Sequence, residues 1–350
     1  MKSLKEFIIE CLVNEGGAAG HMLHPFELDS IWSGEDLINY FTKLNDKLSN
    51  KLIDTFVKLD GTNCAVRIRG EEFVLDRLTK NQMDIDGMTV DDVAARYGGH
   101  EYGYDKHVTI VLNSFNECYS VIKEELDKLG LLDNQNLMLN LEFIPRESSI
   151  IDIDKNFIAI HGLLEVETTH TGARKSREVK SNKSLLEKIA KKMNTKLSDT
   201  EVITQEIVVL EKDINIYKCL NRDFTVFFTP ESSETHTLKE WLDKYVLTEK
   251  KNCSVKTLSG KRVNTQSLQV LRYIHKSGVL SEMFYEKDID NVLKNFFLYY
   301  CTLIIGQEFL NNMNSRIGHL SKQEGLVVRD EELNQTDQPV KLTGFFVLNK

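Results

Sequence analysis

A succession of short strand-like segments between residues 52 and 166 constrains the fold more than any other feature of this chain. In one of them, Cys64, Val66 and Ile68 alternate with Ala65, Arg67 and Arg69. This period of two predicts a β-strand with one buried face. Further strands are predicted at 53–57, 73–75, 137–144 and 157–166. The sequence therefore predicts a sheet-rich unit, to which strands at 325–329 and 340–348 return.

Helical segments surround these strands. Apolar residues at helical spacing predict helices over 3–14 and 107–129. Ser33, followed by Glu35 and Asp36, predicts the start of a helix that ends near residue 48. Residues 296–305 are too few to span a bilayer and predict a buried helix. The expected organisation is an N-terminal helical segment over 1–50, a first sheet-rich part over 51–167, a mainly helical insertion over 168–318 and closing strands over 319–350.

Composition limits the class of protein. The chain has 350 residues, of which 41% are hydrophobic and 28% charged, as in soluble proteins with one large or two ordinary domains. A net charge of −9 argues against a protein that coats duplex nucleic acid, but it allows a local basic groove. The cysteines form no C-x-x-C pair, and the charged N-terminus has no apolar leader. We therefore expect a cytoplasmic protein with free thiols and no membrane partner.

The strongest candidate for chemistry is Lys58-Leu59-Asp60-Gly61, which directly precedes the alternating strand. A deprotonated lysine here could attack the α-phosphate of a nucleoside triphosphate, and Gly61 would let the backbone approach the phosphates closely. The free pKa of lysine is about 10.4, so the lysine would need help to lose its proton. Such a site also needs carboxylates for a metal ion and a ribose, cations for the phosphates and an aromatic face for the base.

Candidates for these roles follow in order along the chain. Arg77 comes after the predicted hairpin, Glu142 lies in a predicted strand and Phe157 opens another. Glu324 begins the run Glu-Gly-Leu-Val-Val-Arg, and Lys341 lies in the closing strand. In this order the motifs resemble those of the covalent nucleotidyltransferases, which comprise ATP-dependent DNA ligases, RNA ligases and mRNA capping enzymes. The resemblance covers residues of about 52–166 and 320–345.

The resemblance implies roles for the residues around the phosphates. Lys58 would become the lysyl-AMP phosphoramidate, within a nucleotide-binding motif that includes Asp60 and Gly61. Glu324 would position a Mg²⁺ ion, and Lys341 would meet the α-phosphate. The substrate that these roles imply is ATP.

For the rest of the nucleotide, the resemblance implies that Arg77 contacts the ribose or a phosphate, that Glu142 binds the ribose hydroxyls and that Phe157 stacks on the adenine. The implied fold is α+β: a two-sheet nucleotidyltransferase domain, which is an ATP-grasp-like ligase adenylation domain, here with a helical insertion.

The chain also departs from the family pattern. The closing motif usually has two lysines one residue apart, whereas Thr343 stands in the second position. Little sequence follows for the C-terminal OB domain of DNA ligases and capping enzymes. Thr62-Asn63 after the motif is more similar to phage-type RNA ligases, which points to RNA repair in a bacteriophage and to the host cytoplasm.

The basic stretch 172–196 allows two interpretations. Arg174, Lys175, Arg177 and Lys180 could face RNA, or they could belong to a solvated surface. Likewise, His21 and His24 with Glu27 could hold a metal ion, although hydrogen bonding is the more common use of such a pair.

Three hypotheses remain open from sequence alone. The first is an ATP-dependent ligase that seals the 5′-phosphate and 3′-hydroxyl ends of RNA or of nicked nucleic acid. The second is a DNA ligase or a nucleotidyltransferase to another acceptor. The third is a catalytically degenerate ligase fold that serves as a nucleic-acid-binding or phage structural module.

Overall fold

The computed structural model describes residues 22–53, 55–58, 61–99, 103–146, 155–204, 207–247, 254–315, 318–319, 325–336 and 338–348. The helix predicted over 3–14, as well as Asp60 and Glu324, lies outside these residues. The described chain is mixed α and β, and its strands pair mostly antiparallel. It forms two compact units: unit 1 contains Leu59–Glu206, and unit 2 contains Met22–Lys58 and Ile207–Lys350.

The helices are α1 (Gly34–Ser49), α2 (Gln82–Asp86), α3 (Val90–Tyr97), α4 (Tyr104–Lys128), α5 (Lys183–Met193), α6 (Ile216–Leu220), α7 (Leu238–Lys244), α8 (Leu268–His275), α9 (Leu280–Met283), α10 (Glu286–Asn311) and α11 (Glu331–Asn334). The strands are β1 (Thr55–Lys58), β2 (Thr62–Arg69), β3 (Glu72–Leu75), β4 (Leu137–Ile144), β5 (Asn156–Thr168), β6 (Arg174–Val179), β7 (Thr200–Thr204), β8 (Ile207–Leu210), β9 (Asp223–Thr229), β10 (Ser232–Thr237), β11 (Ser254–Lys256), β12 (Arg262–Asn264), β13 (Met313–Ser315), β14 (Gly318–His319), β15 (Gly325–Val328) and β16 (Val340–Leu342). Short 3-10 helices lie at Pro25–Glu27 and Phe345–Leu348.

Unit 1 is built on a sheet with the strand order β3-β2-β4-β5-β6, to which β7 adds parallel to β5. Helices α4 and α5 cover one face of this sheet and enclose an apolar core. Cys64, Val66 and Ile68 of β2 belong to that core, as their spacing predicts. Phe115 of α4 packs on Phe73 of β3, with 5.0 Å between the ring centroids. The alternate residues of β2 and β4 therefore lie on the opposite face.

Unit 2 contains a second sheet with the strand order β14-β13-β8-β1-β15-β16, in which neighbouring strands run antiparallel. Helix α10 packs on β15 and β16 and is buried along most of its length, which confirms the buried helix predicted over 296–305. Gly306 allows this close approach, because a Cβ there would lie 2.4 Å from the Thr343 carbonyl oxygen. Within the described ranges, no helix has the length and apolarity needed to cross a membrane.

Helix α1 begins where the sequence predicts. The Ser33 hydroxyl accepts a hydrogen bond from the Asp36 amide at 3.2 Å, and the Asp36 carboxylate accepts one from the Ser33 amide at 2.9 Å. This reciprocal capping box satisfies amides that the start of a helix otherwise leaves without partners. Leu37, Phe41 and Leu44 then follow at helical spacing and are buried in unit 2.

Residues 168–318 do not form a separate helical insertion. They contain helices α5 to α10, but β6 and β7 extend the sheet of unit 1, while β8 and β13 belong to the sheet of unit 2. The compact units change over at residue 206, which replaces the predicted boundaries at 167 and 318. The prediction failed because β6 is charged and largely exposed, so it carries no apolar period that would reveal a strand.

A buried ionic group joins β2, β6 and the end of β3 in unit 1. The side chain of Asp76 is fully buried, and it accepts hydrogen bonds from Arg174 at 2.7 and 2.5 Å. The guanidinium of Arg67 lies 3.4 Å from the same carboxylate. Burial lowers the pKa of Arg67, while the charge of Asp76 favours the protonated guanidinium. The carboxylate thus compensates two cations that would be costly to bury without it.

We expect Asp76→Ala to lower the free energy of unfolding by about 3–5 kcal/mol, because Arg67 and Arg174 would keep buried charges without their partner. Urea unfolding measures this loss. Glu124→Ala is a suitable control, since the Glu124–Lys128 pair on α4 is exposed and such a pair contributes about 0.5 kcal/mol or less. Equal losses in the two variants would contradict the structural role of Asp76.

Candidate functional site

Lys58 is the last residue of β1 and lies in direct register with Gly325, the first residue of β15. Residues that oppose each other across antiparallel strands share a face of the sheet. Phe56 opposes Val327, so both lie on the same face as Lys58. Lys341 of β16 also opposes Val327 and shares this face. We call this side of the unit 2 sheet, which carries Phe56, Lys58, Val327 and Lys341, the lysine face.

The lysine face gathers positive charge. Neighbouring strands lie about 4.8 Å apart and rise about 3.3 Å per residue, so the Cα atoms of Lys58 and Lys341 are roughly 12 Å apart. Lys58 is half-buried, and Lys341 is only 7% exposed. Arg329 follows β15 directly, and its guanidinium lies 5.9 Å from the centroid of the Phe56 ring. Three cations on one side of three adjacent strands suit a phosphate-bearing ligand.

Gly325 is required by the packing of β15 on β16. Its φ angle is +154°, a conformation that is essentially restricted to glycine. A Cβ at this position would also lie 1.9 Å from the Leu342 carbonyl oxygen. The glycine of the Glu-Gly motif therefore has a structural reason that is independent of chemistry. It lets β16, with Lys341, lie against the strand that opposes Lys58.

Glu142 lies in unit 1, on the face of the sheet opposite α4 and α5. Its Oε1 accepts a hydrogen bond from the Gly61 amide at 2.9 Å, and its Oε2 lies 2.8 Å from His161 Nε2. Gly61 can come this close because it lacks a Cβ, which would lie 2.4 Å from the Phe143 carbonyl oxygen. Phe157 lies two residues before Ala159, the cross-strand partner of Glu142, and therefore shares this face. We call the side that carries Glu142, Phe157 and His161 the carboxylate face.

The carboxylate face combines an oriented acid with an aromatic ring. The side chain of Glu142 is 14% exposed and that of His161 12% exposed, so their contact is shielded from solvent. An ionised carboxylate offers about four acceptor sites, so two protein donors leave capacity for ligand hydroxyls. Phe157 is half-buried and presents an apolar surface beside it. This set of groups suits a polyhydroxyl ring and a planar base.

Two groups border Gly61 and Glu142 on the helical side of the same sheet. The Thr62 hydroxyl lies 2.7 Å from His107 Nδ1 on α4, and burial lowers the pKa of His107. Burial, aided by the charge of Glu142, raises the pKa of the Cys64 thiol to about 12. Cys64 therefore stays a thiol at neutral pH, which argues against it as a competing nucleophile.

The structure gives Arg77 different neighbours from those that the sequence predicts. Its guanidinium lies 4.7 Å from the centroid of the Tyr104 ring and 5.5 Å from that of Tyr97. Both tyrosines pack against the core beneath the helices of unit 1. This placement adds no support for a contact of Arg77 with a ribose or a phosphate. The sequence missed it because the tyrosines belong to α3 and α4, and α3 was not predicted.

The basic residues of β6 are largely balanced by acids. Arg174 is bound to Asp76, as described above. Arg177 lies 2.5 Å from Glu165 of β5, and Lys175 opposes Glu167 in register. Lys180, which follows β6, is exposed. Arg174 thus has a structural role, and β6 fits the interpretation of a charge-paired surface strand better than that of a free cationic patch.

The segment around His24 is hydrogen-bonded to β16, the strand that carries Lys341 of the lysine face. The Lys341 amide donates a hydrogen bond to the Leu23 carbonyl oxygen at 2.8 Å. The next turn is fixed by the Glu27 carboxylate, which accepts a hydrogen bond from the His24 amide at 2.7 Å. His21 lies outside the described residues, within which no group of three histidine, cysteine, aspartate or glutamate side chains is placed to hold a metal ion. The Leu23 carbonyl oxygen thus supports β16 through its backbone.

Comparison with known proteins adds no relative to this description: no family model, no curated protein and no solved structure matches the chain. Any functional conclusion therefore depends on the residues and their geometry.

We expect Gly325→Ala to destabilise the protein by roughly twice as much as Gly70→Ala. Both glycines have positive φ angles, so an alanine costs about 1–3 kcal/mol of backbone strain at either position. Only at Gly325 does the new methyl group meet a carbonyl oxygen, which adds about 1–3 kcal/mol, since a Cβ at Gly70 has no neighbour within 4 Å. Urea unfolding of both variants measures the difference, and similar losses would show that β15 and β16 are not packed as described.

Proposed function

We propose that this protein is an ATP-dependent polynucleotide ligase, with RNA as the preferred substrate, which works through a covalent bond between Lys58 and AMP. The observation that carries the proposal is the register of three strands in unit 2. It brings Lys58 opposite the glycine of the Glu-Gly motif and puts Lys341 on the same face. Segments that resemble separate motifs of the nucleotidyltransferases thus become neighbours, as a shared phosphate site requires.

In the first step, the neutral amine of Lys58 attacks the α-phosphorus of ATP. A P–N bond forms, the bond from the α-phosphorus to the bridging oxygen breaks, and pyrophosphate leaves. The nitrogen gives up its proton to solvent. Lys341 and Arg329, which lie on the lysine face, supply positive charge for the α-phosphate as negative charge builds on its oxygens.

In the second step, an oxygen of a 5′-phosphate end attacks the same phosphorus, the P–N bond breaks and Lys58 is regenerated. A 3′-hydroxyl then attacks the phosphorus of the activated end and displaces AMP, which forms the new phosphodiester bond. For these steps the chain must hold the nucleotide, and the proposal assigns its ribose to Glu142 and its base to Phe157.

A bound Mg²⁺ ion would neutralise phosphate charge during both transfers. Magnesium needs only one or two protein carboxylates when phosphate oxygens complete its shell, so a single glutamate at position 324 is chemically sufficient. Lys175 and Lys180 remain candidates for contact with the nucleic acid, whereas the ion pairs of Arg174 and Arg177 make these two arginines weaker ones.

Thr343 favours a second candidate, a ligase-like fold without catalytic power. It stands where the family has a second lysine, and it is 5% exposed. Its hydroxyl has no hydrogen-bond partner among the described residues. A neutral side chain cannot replace a cation at a phosphate. This candidate predicts binding to nucleic-acid ends with no covalent AMP. Ligation of RNA is distinguished from transfer of AMP to DNA or to another acceptor by a separate experiment, in which the adenylylated protein is offered each acceptor in turn.

We expect the wild-type protein, incubated with ATP labelled at the α-phosphate and with Mg²⁺, to carry the label through a denaturing gel. Lys58→Arg should abolish the label, because a guanidinium stays protonated and cannot attack phosphorus. Lys43→Arg is the matched control, since Lys43 is exposed on α1, and it should label like the wild type. Added pyrophosphate should remove the label by reversing the first step.

Absence of label on the wild type, or label that persists on Lys58→Arg, would overturn the proposed chemistry. If the wild type instead binds 5′-phosphorylated RNA ends without labelling, the non-catalytic candidate replaces it.

A further inference from the structure

A β-bulge aims His161 at Glu142. Leu141 of β4 opposes Ile160 of β5, and the neighbouring Asn140 opposes Gly162. His161, which lies between Ile160 and Gly162, is therefore the extra residue of the bulge. Gly162 has a φ angle of +143°, which a residue with a side chain rarely adopts. Bulges of this kind commonly redirect a side chain. Here the imidazole lies beside Glu142, whose direct cross-strand partner is Ala159.

The bulge completes a two-sided clamp on one carboxylate. Oε2 of Glu142 is held by His161 Nε2 at 2.8 Å, and Oε1 is held by the Gly61 amide at 2.9 Å. An ionised carboxylate can only accept, so His161 donates through Nε2. With each oxygen fixed by one donor, the carboxylate cannot rotate, and its remaining acceptor sites have set directions. The Gly61 amide is fixed by the backbone, which leaves His161 as the side chain of the clamp that can be changed by substitution.

We propose that His161 is a positioning residue that orients Glu142 toward the ribose hydroxyls and thereby sets the preference for a ribonucleotide over a deoxyribonucleotide. This inference rests on the proposed function, which assigns the ribose to Glu142. It predicts that the loss of the Nε2 donor weakens the hydroxyl contacts selectively, because a freely rotating carboxylate gains less from a ligand hydroxyl than one already in place.

Equilibrium dialysis tests this with ATP, 2′-deoxy-ATP and 3′-deoxy-ATP as probes, since it needs no catalysis. We expect His161→Leu to weaken the binding of ATP by roughly 10- to 100-fold, the size of a hydrogen bond to a charged group, and to change the binding of at least one deoxy nucleotide much less. The discrimination between ATP and that nucleotide should therefore collapse. His161→Gln retains an N–H donor of similar reach and should restore most of the discrimination.

His236→Leu is the matched control, because it removes another histidine paired with a glutamate, the exposed His236–Glu234 contact of unit 2. It should leave the discrimination unchanged. A general loss of structure in His161→Leu would weaken the binding of all three nucleotides alike. The ratio of the affinities for ATP and for a deoxy nucleotide therefore separates a positioning role from a folding defect. His161→Gln tests the same point independently, because it keeps an N–H donor. If His161→Leu keeps the wild-type preference for ATP over both deoxy nucleotides, or if His161→Gln fails to restore that preference, the inference is overturned.

The two proposals fail in different ways. A wild type that carries the covalent label but whose ribose preference is insensitive to His161→Leu refutes the role of His161 and leaves the ligase chemistry standing. A wild type that discriminates ribose through His161 but never acquires the label refutes the chemistry and leaves the positioning role. A wild type that binds no ATP refutes both.

Discussion

The direct pairing of β1 with β15 is the contact on which the candidate phosphate site depends. It joins Lys58 to Gly325 across the sheet, although residues 59–206 of unit 1 and a long part of unit 2 separate them in sequence. Closing a long loop costs only a little more entropy than closing a medium one, so the contacts between the two strands can offset the cost of this long-range pairing. Gly325 also lets β16 join this pair, because its missing side chain makes room for the Leu342 carbonyl oxygen.

A second glycine has the same function on the carboxylate side. Gly61 lies against the backbone of β4, and the absence of a Cβ lets its amide reach Glu142. The glycines of both motifs are therefore explained by close backbone approach. One of them places cations on the lysine face, and the other fixes an acid on the carboxylate face. The proposed chemistry needs both kinds of group: positive charge for a phosphate and an oriented acceptor for hydroxyls.

Sequence patterns predicted those elements whose signal is local. The capping box at Ser33 located α1, alternation located β2 to within two residues, and the strand predicted over 137–144 coincides with β4. Patterns failed for β6, whose charged residues are paired with β5 and show no apolar period. The boundary at residue 206 was missed for a different reason: it depends on which sheet each strand joins, and no local pattern reports this.

The candidate site was predictable as a set of residues but not as a geometry. Motif order named Lys58, Glu142 and Lys341 as candidates, but no pattern reports that Lys58 and Lys341 share a face, because this follows from register. The bulge at His161 was equally hidden, since its only trace in the sequence is one glycine within a strand. For Arg77, motif order suggested a contact with the nucleotide, whereas the structure places its guanidinium beside the rings of Tyr97 and Tyr104.

Peptide mapping by tandem mass spectrometry, after incubation of the intact protein with ATP and Mg²⁺, shows directly whether Lys58 is the nucleophile. If it is, the map contains one AMP adduct, located on Lys58. An adduct on Lys341 or on any other residue, or no adduct while ATP is bound, would contradict this role.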